Sequence, residues 1–305
     1  MSGYFGDGLL AAAKSGDVGY IRELIEHGAM INGMSGGITP LMAAAIAGKV
    51  DAVEFLLANG ADAWARDPES RTIIKMTLDN GHMPLAQLLV DRCPNLLVTD
   101  PRLPQGKDWL REQFDLISDS VKDPASKPRQ DLLDRLIAGN LGPTENRDAS
   151  DVYWEHIFLR FIGDVPLDIE RNYSEDLVLS LVGTFDRILY GHEGNDPLHP
   201  FLIINRFLII VGVRESARLL NSKLPTTQYR IIGTVVDVAG GWVTERWTYD
   251  DAMSNLRVAN GIDTFLIEQG KIKVMMINYM AHLTDPITSP TSRSAYSRTS
   301  AYKLD

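Results

Sequence analysis

The sequence predicts two domains of different class: an all-α stack of helical repeats over residues 1–100, and an α+β domain with an antiparallel sheet over residues 151–285. Three observations predict this. A helix–turn–helix pattern recurs at a spacing of roughly 33 residues near the N-terminus. The chain between residues 101 and 150 changes character, with prolines 101, 104, 124, 128 and 143 breaking up two helical patterns. Beyond it, alternating extended segments are separated by Gly240-Gly241 and Gln269-Gly270, which read as hairpin turns. A length of 305 residues also exceeds what one ordinary core organises.

The repeats can be aligned residue by residue. Leu9-Leu10-Ala11-Ala12-Ala13-Lys14-Ser15-Gly16-Asp17 matches Leu41-Met42-Ala43-Ala44-Ala45-Ile46-Ala47-Gly48-Lys49. A second apolar pattern follows each, ending on Gly28-Ala29 and on Gly60-Ala61, and a weaker third copy runs over residues 72–90. Thr39-Pro40 suits a helix start, where proline's fixed φ and missing N–H cost nothing. Gly48 and Gly60 suit helix ends that need a left-handed residue. The small Ala43-Ala44-Ala45 face allows helices to approach closely. Thr-Pro-Leu, Ala-Ala and Leu-Leu-Ala-Asn-Gly-Ala-Asp in the second copy resemble the ankyrin-repeat consensus, with Met42 where that family has histidine. The resemblance implies a docking surface for a protein partner, and Trp64, Arg66 and Arg71 on the hairpin loops are its candidates, as against ordinary solvated loop residues. The degenerate first and third copies read as caps on a small stack.

Residues 101–150 read as a helical connector, with helices expected at 109–121 and 130–137 packing on the last repeat. The second domain opens on a helical pattern of Tyr153, Trp154, Ile157, Phe158 and Phe161. Strands are expected at 177–182, 229–238, 242–249, 261–268 and 271–280. The succession of helix, Gly163-Asp164, Tyr173-Ser174-Glu175-Asp176, Gly261-Ile262-Asp263-Thr264-Phe265 and Gln269-Gly270-Lys271-Ile272 resembles the SnoaL-like group of the nuclear transport factor two-like superfamily. The resemblance implies a cone with a curved antiparallel sheet around a deep apolar pocket, a frame that serves isomerases, cyclases, dehydratases and inactive binding proteins alike.

Carried over position by position, the resemblance implies an inward Asp263, matching the aspartic acid that donates to an oxyanion in ketosteroid isomerase. An apolar pocket would keep such a group protonated. His156 aligns with that enzyme's donor tyrosine, but its catalytic base falls on Leu181, which rules out the same mechanism. Against limonene epoxide hydrolase, Arg246 is kept while the two aspartates fall on Thr248 and Asn278. The expected catalytic residues are Asp263 and His156. The expected ligand-binding residues are Arg246, Asn278, Tyr173, Trp242, Phe265, Met276 and His282, with Tyr173 and His282 near the rim. Two alternatives stand beside this: Arg246 and Asp263 as a buried structural ion pair, and His156 as a hydrogen-bonded helix histidine.

Composition narrows the function. With 40 acidic and 30 basic side chains, a net charge of −10 and no basic cluster, nucleic acid is not an expected partner. Cys93 is the single cysteine, expected buried in a repeat helix, and points to a reducing compartment, cytoplasmic or nuclear. No signal peptide or membrane span is expected, and no metal or cofactor. Residues 195–211 form an apolar insertion between Gly191-His192-Glu193-Gly194 and Val213-Arg214-Glu215-Ser216. Its Gly-Asn and Val-Gly ends can be encoded with intron-border dinucleotides, so a translated retained intron and an apolar lid both remain open. The Ser/Thr/Arg-rich residues 286–305 are expected to be disordered. The functional expectation is a small-molecule-binding domain for an apolar metabolite, acting as a cofactor-independent isomerase, cyclase or dehydratase and joined to a docking module. The alternative is a non-catalytic adaptor whose second domain is structural or dimerising.

Overall fold

A computed structural model describes residues 2–68, 71–182, 187–190, 229–251 and 256–283. The retained-intron or lid segment 195–211 and the tail 286–305 lie outside these residues. Six helices form the repeats: α1 (Ser2–Ser15), α2 (Val18–Glu26), α3 (Pro40–Ile46), α4 (Val50–Ala58), α5 (Ile73–Asp79) and α6 (Met83–Arg92). The Thr39 hydroxyl accepts from the Met42 N–H, and the Met42 thioether accepts from the Thr39 N–H at 3.5 Å. The methionine therefore closes the cap of its own helix. Thr72 caps α5 in the same way, accepting from the Lys75 N–H. Gly48 and Gly60 sit at φ 68° and 86°, so the helix ends need glycine as expected. His82 Nε2 meets the Ile46 carbonyl at 3.1 Å, a bond from one repeat to the next. Cys93 is half-buried at the C-terminus of α6, not inside a helix face, and burial raises its thiol pKa.

Then follow α7 (Pro104–Ser120), α8 (Gln130–Ala138), α9 (Ala149–Ile162) and α10 (Val165–Asn172). The strands are β1 (Tyr173–Val182), β2 (Arg187–Tyr190), β3 (Tyr229–Asp237), β4 (Trp242–Asp251), β5 (Leu256–Glu268), β6 (Lys271–Asn278) and β7 (Ala281–Leu283). One sheet runs in the order β2-β1-β6-β5-β4-β3, with β7 on β5. Most neighbours are antiparallel, but β1 and β6 are parallel, Leu179 lying opposite Met275. The expected wholly antiparallel sheet is thus corrected to a mixed one. A tight turn can only make antiparallel neighbours, and β1 reaches β6 through the whole intervening chain.

Two apolar cores form. The first runs from Leu9 to Leu103 and the second from Leu110 to Ala281. Leu110, Phe114, Ile117 and Val121 of α7 and Leu132, Leu133 and Leu136 of α8 belong to the second core. The expectation that the connector helices pack on the last repeat is corrected: their apolar faces cover α9 and the sheet, as when Phe114 stacks on Phe158 at 6.0 Å. The second core is also stitched by charge. Glu155, buried on α9, takes Arg147 at 2.9 Å and Arg171 at 2.7 Å, and Arg147 also donates to the Gly270 carbonyl in the β5–β6 turn.

Candidate functional site

Two regions could carry function: the tips of the repeat hairpins and the inner face of the sheet. At the tips, the Asn32 carboxamide joins successive repeats, donating to the Gly60 carbonyl and accepting from the Asp62 N–H at 2.8 Å. This ties the two hairpins side by side and sets Met30 (71% exposed), Met34 (55%) and Trp64 (58%) on one edge. Grouped together, such open apolar side chains can mark a surface that meets a partner. Arg71 is committed to the loop, its guanidinium bound to the buried Asp67 at 2.6 Å. Arg66 is half-buried, and burial lowers its pKa against the opposing charge of Asp67. Trp64 therefore stands out at this edge, with Met30 and Met34, which sequence reasoning passed over although both sit in the first hairpin.

On the sheet, the inner face receives Val243, Glu245, Trp247 and Tyr249 from β4, and Asp263, Phe265 and Ile267 from β5, all buried. Glu245 and Asp263 are register partners, so two carboxylates meet side by side within the apolar core. The Asp263 carboxylate accepts from the Trp247 indole N–H at 2.9 Å. Burial raises its pKa to about 7, opposed by the Trp247 indole and the Asn278 backbone N–H. Glu245 is 0% exposed and accepts from the Tyr153 hydroxyl on α9. Burial and then the charge of Asp263 push its pKa well up, while the Tyr153 hydrogen bond opposes them. Its second oxygen, Oε1, has no hydrogen-bond partner among the described residues.

Beside this pair, His156 Nδ1 meets both oxygens of the buried Asp168 at 3.0 and 2.9 Å. Asn172 donates to the same carboxylate, and the Tyr173 hydroxyl lies 3.4 Å from His156 Nδ1. Tyr173 is buried in this cluster and not at a rim, and burial, with the charge of Asp168, raises its pKa well above the ordinary value. The structure thus brings Asp263, Phe265, His156 and Tyr173 to the interior, with the His156 ring 5.6 Å from Phe265.

It does not bring the others there. Arg246, Trp242 and Asn278 are exposed on the opposite face, where Met276 is half-buried. Arg246 donates to the Asn260 carboxamide at 3.0 Å, and Asn278 to the Ile262 carbonyl at 3.5 Å. The inward placement of these four residues is corrected, and so is the buried Arg246–Asp263 ion pair. Strands alternate sides, so if Asp263 points in, its partner Glu245 points in and Arg246 points out. His282 lies in β7 opposite Arg257. Among the described residues aromatic rings line the interior, with Tyr153 edge-on to Phe265 at 5.3 Å.

A cavity of about 430 Å³ lies elsewhere, between the last repeat and the second domain, floored by Leu136, Leu141, Leu159 and Ile162. Its walls are ion pairs: Lys75 on α5 holds Asp79 at 2.7 Å and Asp164 of the second domain at 3.0 Å, and Arg102 holds Asp79 and Asp100. Each cation there already has carboxylate partners. Among the described residues no helix is long and apolar enough to cross a membrane.

Comparison with known proteins agrees with the N-terminal geometry. Residues 6–67 match the ankyrin-repeat family in three copies, and this part of the chain is an ankyrin-repeat module for protein interaction. Over an alignment of 242 residues that covers 69% of this chain, the sequence is 33% identical to inversin of Mus musculus. The chain spans only 22% of inversin's length. Helices α5 and α6, which continue the stack, lie beyond residues 6–67.

Proposed function

We propose that this chain is a docking protein, in which the ankyrin repeats hold a protein partner along the hairpin edge and the sheet domain serves as their structural base. The observation that carries this reading is the edge itself. Met30, Met34 and Trp64 are left open while Asn32 and Asp62 hold their loops in fixed register. A rigid apolar edge of this kind suits an apolar segment of a partner protein, because little entropy is lost in ordering it. The single cysteine supports a reducing compartment, cytoplasm or nucleus, for this work. The test is selection of binding peptides from a display library on the whole chain. Peptides whose binding falls at least tenfold in a Met30→Ala, Met34→Ala, Trp64→Ala variant support the reading. Peptides that bind the variant equally well refute it.

A second reading is favoured by one observation, the Glu245–Asp263 pair on the inner face. We infer that the second domain has the SnoaL-like cone, a reading supported by helices α9 and α10 leading into β1 and by the inward Asp263. Proton transfer on a small apolar molecule would then fall to Asp263, Glu245 and His156, without a cofactor. Native mass spectrometry of the chain purified from its source is the discriminating measurement: a bound apolar molecule favours this reading, and a bare chain favours the docking protein.

A further inference from the structure

The arrangement of the buried carboxylate pair does not depend on whether the domain binds a ligand. Glu245 on β4 and Asp263 on β5 oppose one another inside the core. The groups facing them come from every side. From α9 come the Tyr153 hydroxyl and, behind Phe265, His156, which is engaged with Asp168 of α10; Tyr173 of β1 joins that same cluster. From β3 comes Thr234, 3.5 Å from the Tyr153 hydroxyl, and from β4 the Trp247 indole. Among the described residues no lysine or arginine pairs with either carboxylate. Two ionised carboxylates at such a site would repel each other with little water to screen them. One carboxyl oxygen, Glu245 Oε1, meets no hydrogen-bond donor among the described residues, which leaves it open to carry a proton itself.

Helix α9 is the cover of this site and also the link to the repeats. Tyr153 sits near its start, over the pair. At its end, the Ile162 carbonyl accepts from Thr99 at 3.3 Å, and Asp164, two residues on, holds Lys75 of the last repeat. We propose that Glu245 and Asp263 keep one proton between them, and that its release unseats α9 and loosens the joint between the sheet domain and the ankyrin stack. Loss of the proton leaves two buried charges in one place. Hydrating them brings water in beside Tyr153 and Phe265, whose rings pack edge-on at 5.3 Å, and displaces Tyr153 and α9 with it. The device responds to pH near neutrality, since burial has raised Asp263 to about 7 and has pushed Glu245 well above its ordinary value. The helix is the two-position element that carries the effect to the joint.

The experiment uses the full chain at about pH 6 and about pH 8.5, either side of the raised value. Infrared difference spectra read the protonated-carboxyl C=O band, and hydrogen exchange, corrected for intrinsic pH dependence, reads protection in α9 and α5. The expected result is an acid band at the lower pH that is lost at the higher one. Protection in both helices should fall at least fivefold with it. In the Glu245→Gln, Asp263→Asn double variant neither signal should change with pH. Absence of the acid band in wild-type protein at the lower pH overturns the shared proton, whether or not the variant folds. A band that titrates while α5 protection stays constant overturns the link to the repeats. A pH response that survives in the double variant overturns the assignment to this pair.

Discussion

Replacing Lys75 by methionine measures how firmly the two cores are joined. The ammonium is 2.7 Å from Asp79 and 3.0 Å from Asp164, and its side chain is 9% exposed. Breaking a fully buried ion pair by removing one partner costs about 3–5 kcal/mol. Here both carboxylates keep something: Asp79 retains Arg102 at 2.6 Å, and Asp164 still accepts from the Leu167 N–H at the start of α10. Both are also partly open to water, so the expected loss is smaller, about 1.5–3 kcal/mol. Methionine preserves most of the lysine's aliphatic volume, which keeps packing out of the comparison. Urea unfolding followed by tryptophan fluorescence is the assay. With a slope of about 2 kcal/mol per molar, the midpoint of the repeat transition should fall by roughly 1 M. It should separate from that of the second domain, which keeps its own core. Asp164→Asn alone should repeat part of the loss, and the double variant should cost less than the sum. A loss under about 0.5 kcal/mol would refute the reasoning, because it would mean that the joint is solvated and its ion pairs contribute nothing.

Other outcomes follow from the same geometry. Asp79 is held below its ordinary pKa because hydrogen bonds from Lys75 and Arg102 outweigh burial. Its contribution is therefore present above about pH 4 and lost as pH falls through the lower folded value, so thermal melts at acid pH should show the repeats weakening first. In Gly261→Ala the new Cβ would lie 2.1 Å from the Trp247 ring, displacing the indole that donates to Asp263; a loss of about 1–3 kcal/mol in denaturant melts is expected. A fragment of residues 101–285 should fold, whereas 130–285 should not, because the second core needs Leu110, Phe114, Ile117 and Val121 of α7; circular dichroism and one-dimensional NMR distinguish them. The Met30, Met34 and Trp64 alanine changes should leave stability within about 0.5 kcal/mol each, measured by the same melts.

Local chemistry was legible in the sequence where it decides structure by itself. Thr39-Pro40, Gly48 and Gly60 marked helix ends, Gly240-Gly241 marked the β3–β4 hairpin and Gln269-Gly270 the β5–β6 hairpin. The inward Asp263 and Phe265 were also legible. The face of β4 differs from expectation because likeness to other proteins places Arg246 inward and alternation then carries Trp242 with it. The strand's own alternation of Val243, Glu245, Trp247 and Tyr249 reads as a buried row with a single charge in it. That row would have named Glu245. What no local pattern could give was the pairing of distant elements: Lys75 with Asp164, His156 with Asp168 and Tyr173, and β1 alongside β6.

That last pairing bears on how the chain is made. Tyr173 lies opposite Ile272, so the centre of the sheet cannot close until almost all of the described chain has left the ribosome. The repeats contact only their neighbours and can fold as they emerge. During synthesis the ankyrin stack is thus complete while α7, α8 and α9 still wait, with apolar faces bare, for the strands that cover them. The interval is set by translation speed, and at about 5–20 residues per second it lasts several seconds. An error or pause late in the message would leave a functional docking surface attached to an unfolded and aggregation-prone remainder. The order of the two domains along the chain therefore makes the binding module available before the protein that carries it is finished.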